Sequence, residues 1–362
     1  MTSAEPDQTP KLAGASLILR LAVIAAILGG IVLLFAYVGG WLTPSRLTPA
    51  AIVNRFQQVN GPQPGFRRNH AKGVCVTGTF ESNGKGAELS KASIFAPGRI
   101  PVVGRFAFAG GLPYVPDAPG LVRSLAVLFQ LKDGEEWRVA LINIPVFPVS
   151  TPQGFYDLLL ASAPDPATGQ PDPAKMKVFL ANNPETPPAL QLIHNYPPTS
   201  GFADSAYHGL NAFRFIKADG TEIPVRWSLI PVQPAAPPVP ASTTDKNYLF
   251  DALIKDIHTH PLQWRLVVTV GQPGDSTTDP TKPWPADHTQ VEVGTLTIDQ
   301  IESEDTSPTR DINFDPLILP DGIAASDDPI LNVRSPAYSK SFTRREGEPK
   351  QPSAVSPAET AK

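Results

Sequence analysis

With 362 residues, 41% of them hydrophobic, the chain can fill one large core or two ordinary ones, which excludes a disordered polymer. Thirty Lys and Arg against 34 Asp and Glu leave a formal charge of −4, so there is no basic field to hold a nucleic-acid backbone. One cysteine, Cys75, excludes an intramolecular disulfide, and 42 prolines spread between apolar runs favour short strands and irregular connections over long helices.

The first predicted element is Leu21 to Leu42, a charge-free apolar run long enough to cross about 30 Å of hydrocarbon. Lys11 and Arg20 precede it, so the positive-inside bias leaves residues 1–20 as a cytoplasmic tail. The rest of the chain would then be exported, as the periplasmic body of a single-pass inner-membrane protein. A cleaved signal peptide with Val38-Gly39-Gly40 as its small-residue site is a rival reading. A buried core helix is a third, although no polar face interrupts the run.

"LTPAAIVNRFQQV" then reads as a short amphipathic helix capped by Thr48 with Pro49 at its first position. Short apolar segments follow at Cys75 to Thr79, Arg105 to Phe108, Ser124 to Leu131 and Glu136 to Ile144. "QLKDGEEWRV" marks a hairpin between the last two. A second hairpin turns at Asp219-Gly220 inside "AFRFIKADGTEIPVRWSLIPV", and "QPAAPPVPASTTD" is an extended, exposed connection. Leu249, Leu253 and Ile254 have helical spacing, after which "WRLVVTVG" and "VEVGTLTI" return to strand. Residues 346–362, rich in Pro, Ser, Ala, Glu and Lys, are expected to be disordered.

Several chemical signatures fail on inspection. Gly78 to Gly86 has the wrong spacing for a phosphate loop, and His258 and His260 lack a third ligand at usable spacing. Cys75 alternates into a strand between Val74 and Val76 and reads as packing. Two clusters remain. "FRRNHAKG" sets Arg67 and His70 where a strand begins, and "ILNVRSPAYSKSFTRR" places Arg334 and Tyr338 four apart, on one helix face if helical. A guanidinium beside a phenol oxygen favours the phenolate, but such a pair is more often a surface neighbourhood than a site.

These clusters resemble those of haem catalases. "RRNHAKG" is similar to the family's distal histidine segment, and "RSPAY" to its proximal Arg-x-x-x-Tyr, whose tyrosinate is the axial ligand of haem iron. Between them, "EEWRVALINIPVFPVSTPQGF" resembles the strand and loop of the distal asparagine, with Asn143 in its place, then Pro145, Phe147 and, against a haem pyrrole, Phe155. "NAFRFIKADG", "KPWP", "VEVGTLTI" and "INFDPLILPDGI" extend the similarity over about Thr48 to Arg345. The resemblance implies an α+β fold: an antiparallel β-barrel with flanking helices, occupying residues 48–345 behind one transmembrane helix. It implies haem b with Tyr338 as the axial ligand of its iron and Arg334 beside it, and Arg67, Arg105 and Arg345 on the propionates. His70 would move the peroxide proton and Asn143 would position the peroxide.

The departures shape the expected function. Ala107 stands where the family has a serine that hydrogen-bonds the distal histidine, so His70 is expected to be held less tightly. Leu121 replaces the acid of the main channel, and Asn211 a histidine assigned to the dinucleotide site, so NADPH is not expected. The interlocking N-terminal arm and helical C-terminal domain are missing, which suggests a monomer or small homo-oligomer. The similarity is therefore to small catalase-related peroxidases, using peroxide and a small organic reductant, with weak disproportionation at most. A true catalase, a non-catalytic membrane-tethered haem protein and a haem-free barrel are the alternatives.

Overall fold

The computed structural model describes residues 14–39, 41–42, 47–165 and 167–361. It divides into two units, residues 1–48 and 49–362. In the first, α1 (Gly14–Val38) is a single helix whose stretch Ser16–Val38 is long and apolar enough to cross a bilayer. Its 23 residues would extend about 34 Å at 1.5 Å per residue. The helix begins earlier than the apolar run because Arg20 is a good helix former and does not interrupt it. It ends at Val38, not at Leu42: Gly39 donates to Phe35 O at 2.8 Å, a last turn followed by the bends at Trp41 and Leu42.

The second unit opens with α2 (Pro49–Asn60), starting at the expected proline. Its sheet comprises β1 (Gly73–Ser82), β2 (Gly98–Phe108), β3 (Arg123–Gln130), β4 (Glu136–Ile142), β5 (Tyr207–Ile216), β6 (Glu222–Pro231), β7 (Leu262–Val270) and β8 (Gln290–Glu302). β1 pairs with both β2 and β8, and the Ile142–His208 bridge joins β4 to β5, so the eight antiparallel strands close into a barrel. A three-residue strand, β9 (Ile323–Ala325), adds to β5. The hairpins turn where Asp-Gly pairs predict: Gly134 and Gly220 take φ of 79° and 86°, a conformation glycine adopts without a Cβ penalty.

Alternation along the strands puts aromatic residues inside. Phe106 on β2 meets Trp264 on β7 at 5.8 Å between ring centroids, and Trp137 on β4 meets Trp227 on β6 at 5.0 Å, contacts that only a closed interior permits between these strands. The α6 helix (Tyr248–Thr259) covers the barrel with Leu249, Leu253 and Ile254, as its spacing predicts. Between β4 and β5, α3 (Pro152–Ala161), α4 (Pro173–Asn182) and α5 (Thr186–His194) each begin with proline in the first turn. Finally α7 (Pro329–Glu346) starts at the N-cap Asp328, whose carboxylate accepts from Ile330 and Leu331 N–H.

The tail corrects the expectation of disorder. Residues 347–361 return to the barrel, where Val355 is fully buried and its carbonyl accepts from Ser303 Oγ at 2.7 Å. Tyr114 and Asn247 donate to Pro352 O and Ala354 O, and Ser356 and Glu359 form a capping box on the one-turn α8 (Pro357–Thr360). Composition misleads because this segment is held by its backbone carbonyls and one valine, not by a hydrophobic pattern.

Candidate active site

Against the outer face of β2, β3 and β4 lies a cavity of about 510 Å³. Strand parity builds this wall: Phe106, Leu125 and Leu141 point into the barrel, while Arg105, Ser124, Ala126, Ala140 and Ile142 line the cavity. Ala126 and Ala140 are directly paired across β3 and β4, and their small side chains keep the wall flat. Helices close the other sides. From α7, Arg334, Tyr338, Ser341 and Arg345 recur at three to four residues and so share the lining face, with Phe56 from α2 and Phe155 from α3.

His70 ends the turn before β1 with φ of 58°, a left-handed conformation strained for a residue with a side chain. Its neighbours hold that strain. Asn69 Oδ1 accepts from the His70 and Gly110 N–H groups at 3.1 and 2.8 Å, and Arg105 donates to His70 O at 2.7 Å. The ring is held too, contrary to the expectation from Ala107: Ser124 Oγ lies 3.0 Å from His70 Nδ1 and 3.2 Å from the carbonyl of Ala107. Ser124 is the residue paired with Ala107 on the next strand, so the hydroxyl missing from β2 comes from β3. Burial, then the charges of Arg105, Arg334 and Arg67, push the His70 imidazole down to about 3, against a hydrogen bond to the Phe108 backbone carbonyl that raises it.

At one end of the cavity two guanidiniums converge on one carboxylate, with Arg345 close by. Glu304 accepts from Arg105 Nε and Nη2 at 2.8 and 2.9 Å and from Arg67 Nη1 at 2.8 Å. Arg67 and Arg345 both donate to Arg310 O. Arg105 lies against Gly73, where a Cβ would collide with the guanidinium. Burial alone would raise the Glu304 carboxyl, but Arg105 and Arg67 outweigh it and hold it down. Burial, then Arg105 and Arg345, lower Arg67 to about 9. Three cations and one anion leave two positive charges in a buried cluster, which matches a ligand carrying two carboxylates.

On α7, Arg334 Nη2 lies 3.3 Å from the Tyr338 hydroxyl, while Nη1 donates to Asn211 Oδ1 at 2.8 Å. Asn211 in turn donates to Asp328 Oδ2 at 2.7 Å. The helix N-cap is thus tied through Asn211 and Arg334 to the phenol.

The protein-family model described as Catalase matches residues 44–354. The chain belongs to the catalase family. It is 39% identical over 302 residues to a catalase-related peroxidase of Synechococcus elongatus, covering 83% of this chain and 89% of that protein. It is 36% identical over 307 residues to a catalase-related peroxidase of Mycolicibacterium paratuberculosis, covering 83% and 96%. Among solved structures, one described as a bacterial catalase superposes with a TM-score of 0.68 at 20% identity, covering 83% of this chain and 61% of that one. The chain thus spans about three fifths of that larger catalase and nearly all of the peroxidase relatives.

Within the catalase frame, His70, Arg67, Arg105, Phe147, Phe155, Arg334, Tyr338 and Arg345 all meet at one cavity. The rings of Phe147 and Phe155 lie 5.5 Å apart on its wall. Asn143 is not among the lining residues: its Oδ1 accepts from Arg123 N–H at 2.7 Å and its own N–H donates to Arg123 O, which pins the end of β4 to β3. The reading of Asn211 as a dinucleotide-site position is also corrected. It is buried and bonded to Arg334 and Asp328, so its substitution bears on the tyrosine side of this cavity.

Sequence reasoning missed four residues here. Asp328 could have been found, because an Asp before Pro at the head of a helix is a start signal. Ser124 was visible only through strand pairing, and nothing near Glu304 in sequence marks it as the partner of Arg67 and Arg105. His208 also lines the cavity, bonded to Tyr196 Oη at 2.8 Å and Ser228 Oγ at 2.7 Å, and burial lowers it to about 4. The donor set suits haem: a phenol for iron, guanidiniums for two propionates, a flat apolar wall, and a volume within the ~300–1,000 Å³ of cofactor sites.

Proposed function

We propose that this catalase-family oxidoreductase is a haem b-dependent peroxidase that reduces hydrogen peroxide or organic hydroperoxides with a small organic electron donor. The observation that carries this reading is the convergence, in one cavity, of the Arg334–Tyr338 pair, His70 and a guanidinium cluster with two charges to spare. Tyr338 would hold the iron as a phenolate stabilised by Arg334, with Arg67, Arg105 and Arg345 on the propionates and Phe147 and Phe155 against the ring. When bound, haem would supply a redox-active iron able to provide the two electrons that peroxide reduction needs.

The protein moves the proton. His70 enters as a neutral imidazole, takes the proton from one peroxide oxygen and returns it to the other, so the group that leaves is water and not hydroxide. Because burial and three cations disfavour the imidazolium, the proton is held only transiently. Carboxylates on Arg67 and Arg105 would ease that repulsion. Asn143 would act indirectly, by fixing the strand ends beneath the cavity.

Weak disproportionation follows from Leu121 in place of the channel acid. The Ser124–His70 bond favours a second reading, a true catalase, because it restores the restraint that Ala107 removes. Oxygen release without a donor, at the rate of donor oxidation, would establish that reading. α1 would anchor a periplasmic enzyme, active as a monomer or small homo-oligomer without NADPH. The test of the main reading is Tyr338→Phe in the full-length, haem-supplemented protein. Haem retention should collapse and the tyrosinate-ligand absorption vanish; an unchanged spectrum rules the assignment out.

A further inference from the structure

We propose that Ser124 is a positioning residue that locks His70 in the Nδ1–H tautomer, so that Nε2 presents its lone pair for the peroxide proton. This deepens the proposed function and rests on His70 being its proton carrier.

A hydroxyl has one hydrogen. The Ala107 carbonyl, 3.2 Å from Ser124 Oγ, can only accept, so that hydrogen points to it. With that hydrogen on Ala107 O, Ser124 Oγ accepts from His70 Nδ1, 3.0 Å away, and the ring carries its proton on Nδ1. A neutral imidazole protonated at Nδ1 has its base at Nε2. The backbone is fixed independently by Arg105 on His70 O and Asn69 on His70 N–H, so Ser124 acts on ring orientation and tautomer, where the Phe108 backbone is the other partner of the ring.

The hydroxyl can be supplied from either of two strands. Ala107 and Ser124 are direct partners in the β2–β3 register, and cross-strand partners hold their Cβ atoms about 4.5–5.5 Å apart on one face. Arg105 and Ala109, two residues either side of Ala107, line the cavity, so position 107 faces the same side as Ser124. Gly73, across β1, adds no side chain beside it. A serine at 107 therefore has the space and direction to take over from one at 124.

The test uses full-length protein with 15N-labelled histidine and three variants: Ser124→Ala, Ala107→Ser/Ser124→Ala and His70→Ala. Nitrogen NMR of the haem-free chains reads the His70 tautomer; stopped-flow mixing of the haem-loaded chains with hydrogen peroxide reads the second-order rate. The wild type should show a single Nδ1–H form. Ser124→Ala should show a tautomer mixture, with the rate down about two- to tenfold, the worth of one hydrogen bond, and haem content unchanged. The double variant should recover both. A wild-type ring protonated at Nε2, or a Ser124→Ala ring that stays wholly Nδ1–H because Phe108 backbone holds it, overturns the proposal. A tautomer shift with no rate change overturns the catalytic half of it. If His70→Ala reacts at the wild-type rate, the proton-carrier reading fails instead.

Discussion

The charge imbalance around Glu304 makes a prediction that differs between the haem-free and haem-loaded protein. Glu304→Gln keeps the shape of the side chain but removes the anion that pairs with Arg67 and Arg105, three contacts of 2.8, 2.8 and 2.9 Å in which Glu304 and Arg105 are buried and Arg67 is largely so. Breaking a buried ion pair by removing one partner costs about 3–5 kcal/mol. The remaining carbonyl acceptors, Arg310 O and Ile312 O on Arg67 and His70 O on Arg105, place the loss near the low end, about 3 kcal/mol. At about 2–4 °C per kcal/mol for a domain of this class, the haem-free variant should melt about 6–12 °C lower. With haem the gap should narrow. Two propionates supply the missing charge and no longer compete with Glu304, so saturating haem should raise the melting temperature of Glu304→Gln more than that of the wild type. Differential scanning calorimetry of both chains, with and without haem, measures all four temperatures. A haem-free loss below about 1 kcal/mol, or an equal haem-induced rise in both chains, would refute the account of the cluster as a dicarboxylate seat.

Acid should destabilise the haem-free protein through two cavity-lining histidines. His70 and His208 fold with values near 3 and 4, below the ordinary 6.5, so between pH 6.5 and those values the unfolded chain binds protons that the native one refuses. Each such group contributes up to about 1.4 kcal/mol of lost stability per pH unit, and His70→Ala should flatten the fall; identical pH slopes in the two chains would contradict the assignment. Deleting residues 352–362 removes the fully buried Val355 and strips Ser303 Oγ, Tyr114 and Asn247 of carbonyl acceptors. Thermal unfolding should show a loss of about 3 kcal/mol, one buried aliphatic side chain plus an unmet polar group, where a disordered tail would show none.

What could be read from the sequence follows the reach of each interaction along the chain. The start of α2, the two Asp-Gly hairpins and the Arg334–Tyr338 spacing depend on residues within a turn of one another, and the structure agrees with all of them. Glu304 meets Arg105 across 199 residues, and the tail meets Ser303 through its backbone, so neither leaves a local pattern.

Ala107 and Asn211 show a different failure. Each was read as a lost partner because a motif counts residues along one strand, whereas the bond is defined in space. The family's serine position is empty at 107, yet the paired strand delivers a hydroxyl to His70 from 124. At 211 an amide, which both donates and accepts, joins Arg334 to Asp328 without needing to titrate. A departure from a motif on a barrel wall is therefore a loss of function only when no same-face neighbour in the register can supply the same atom.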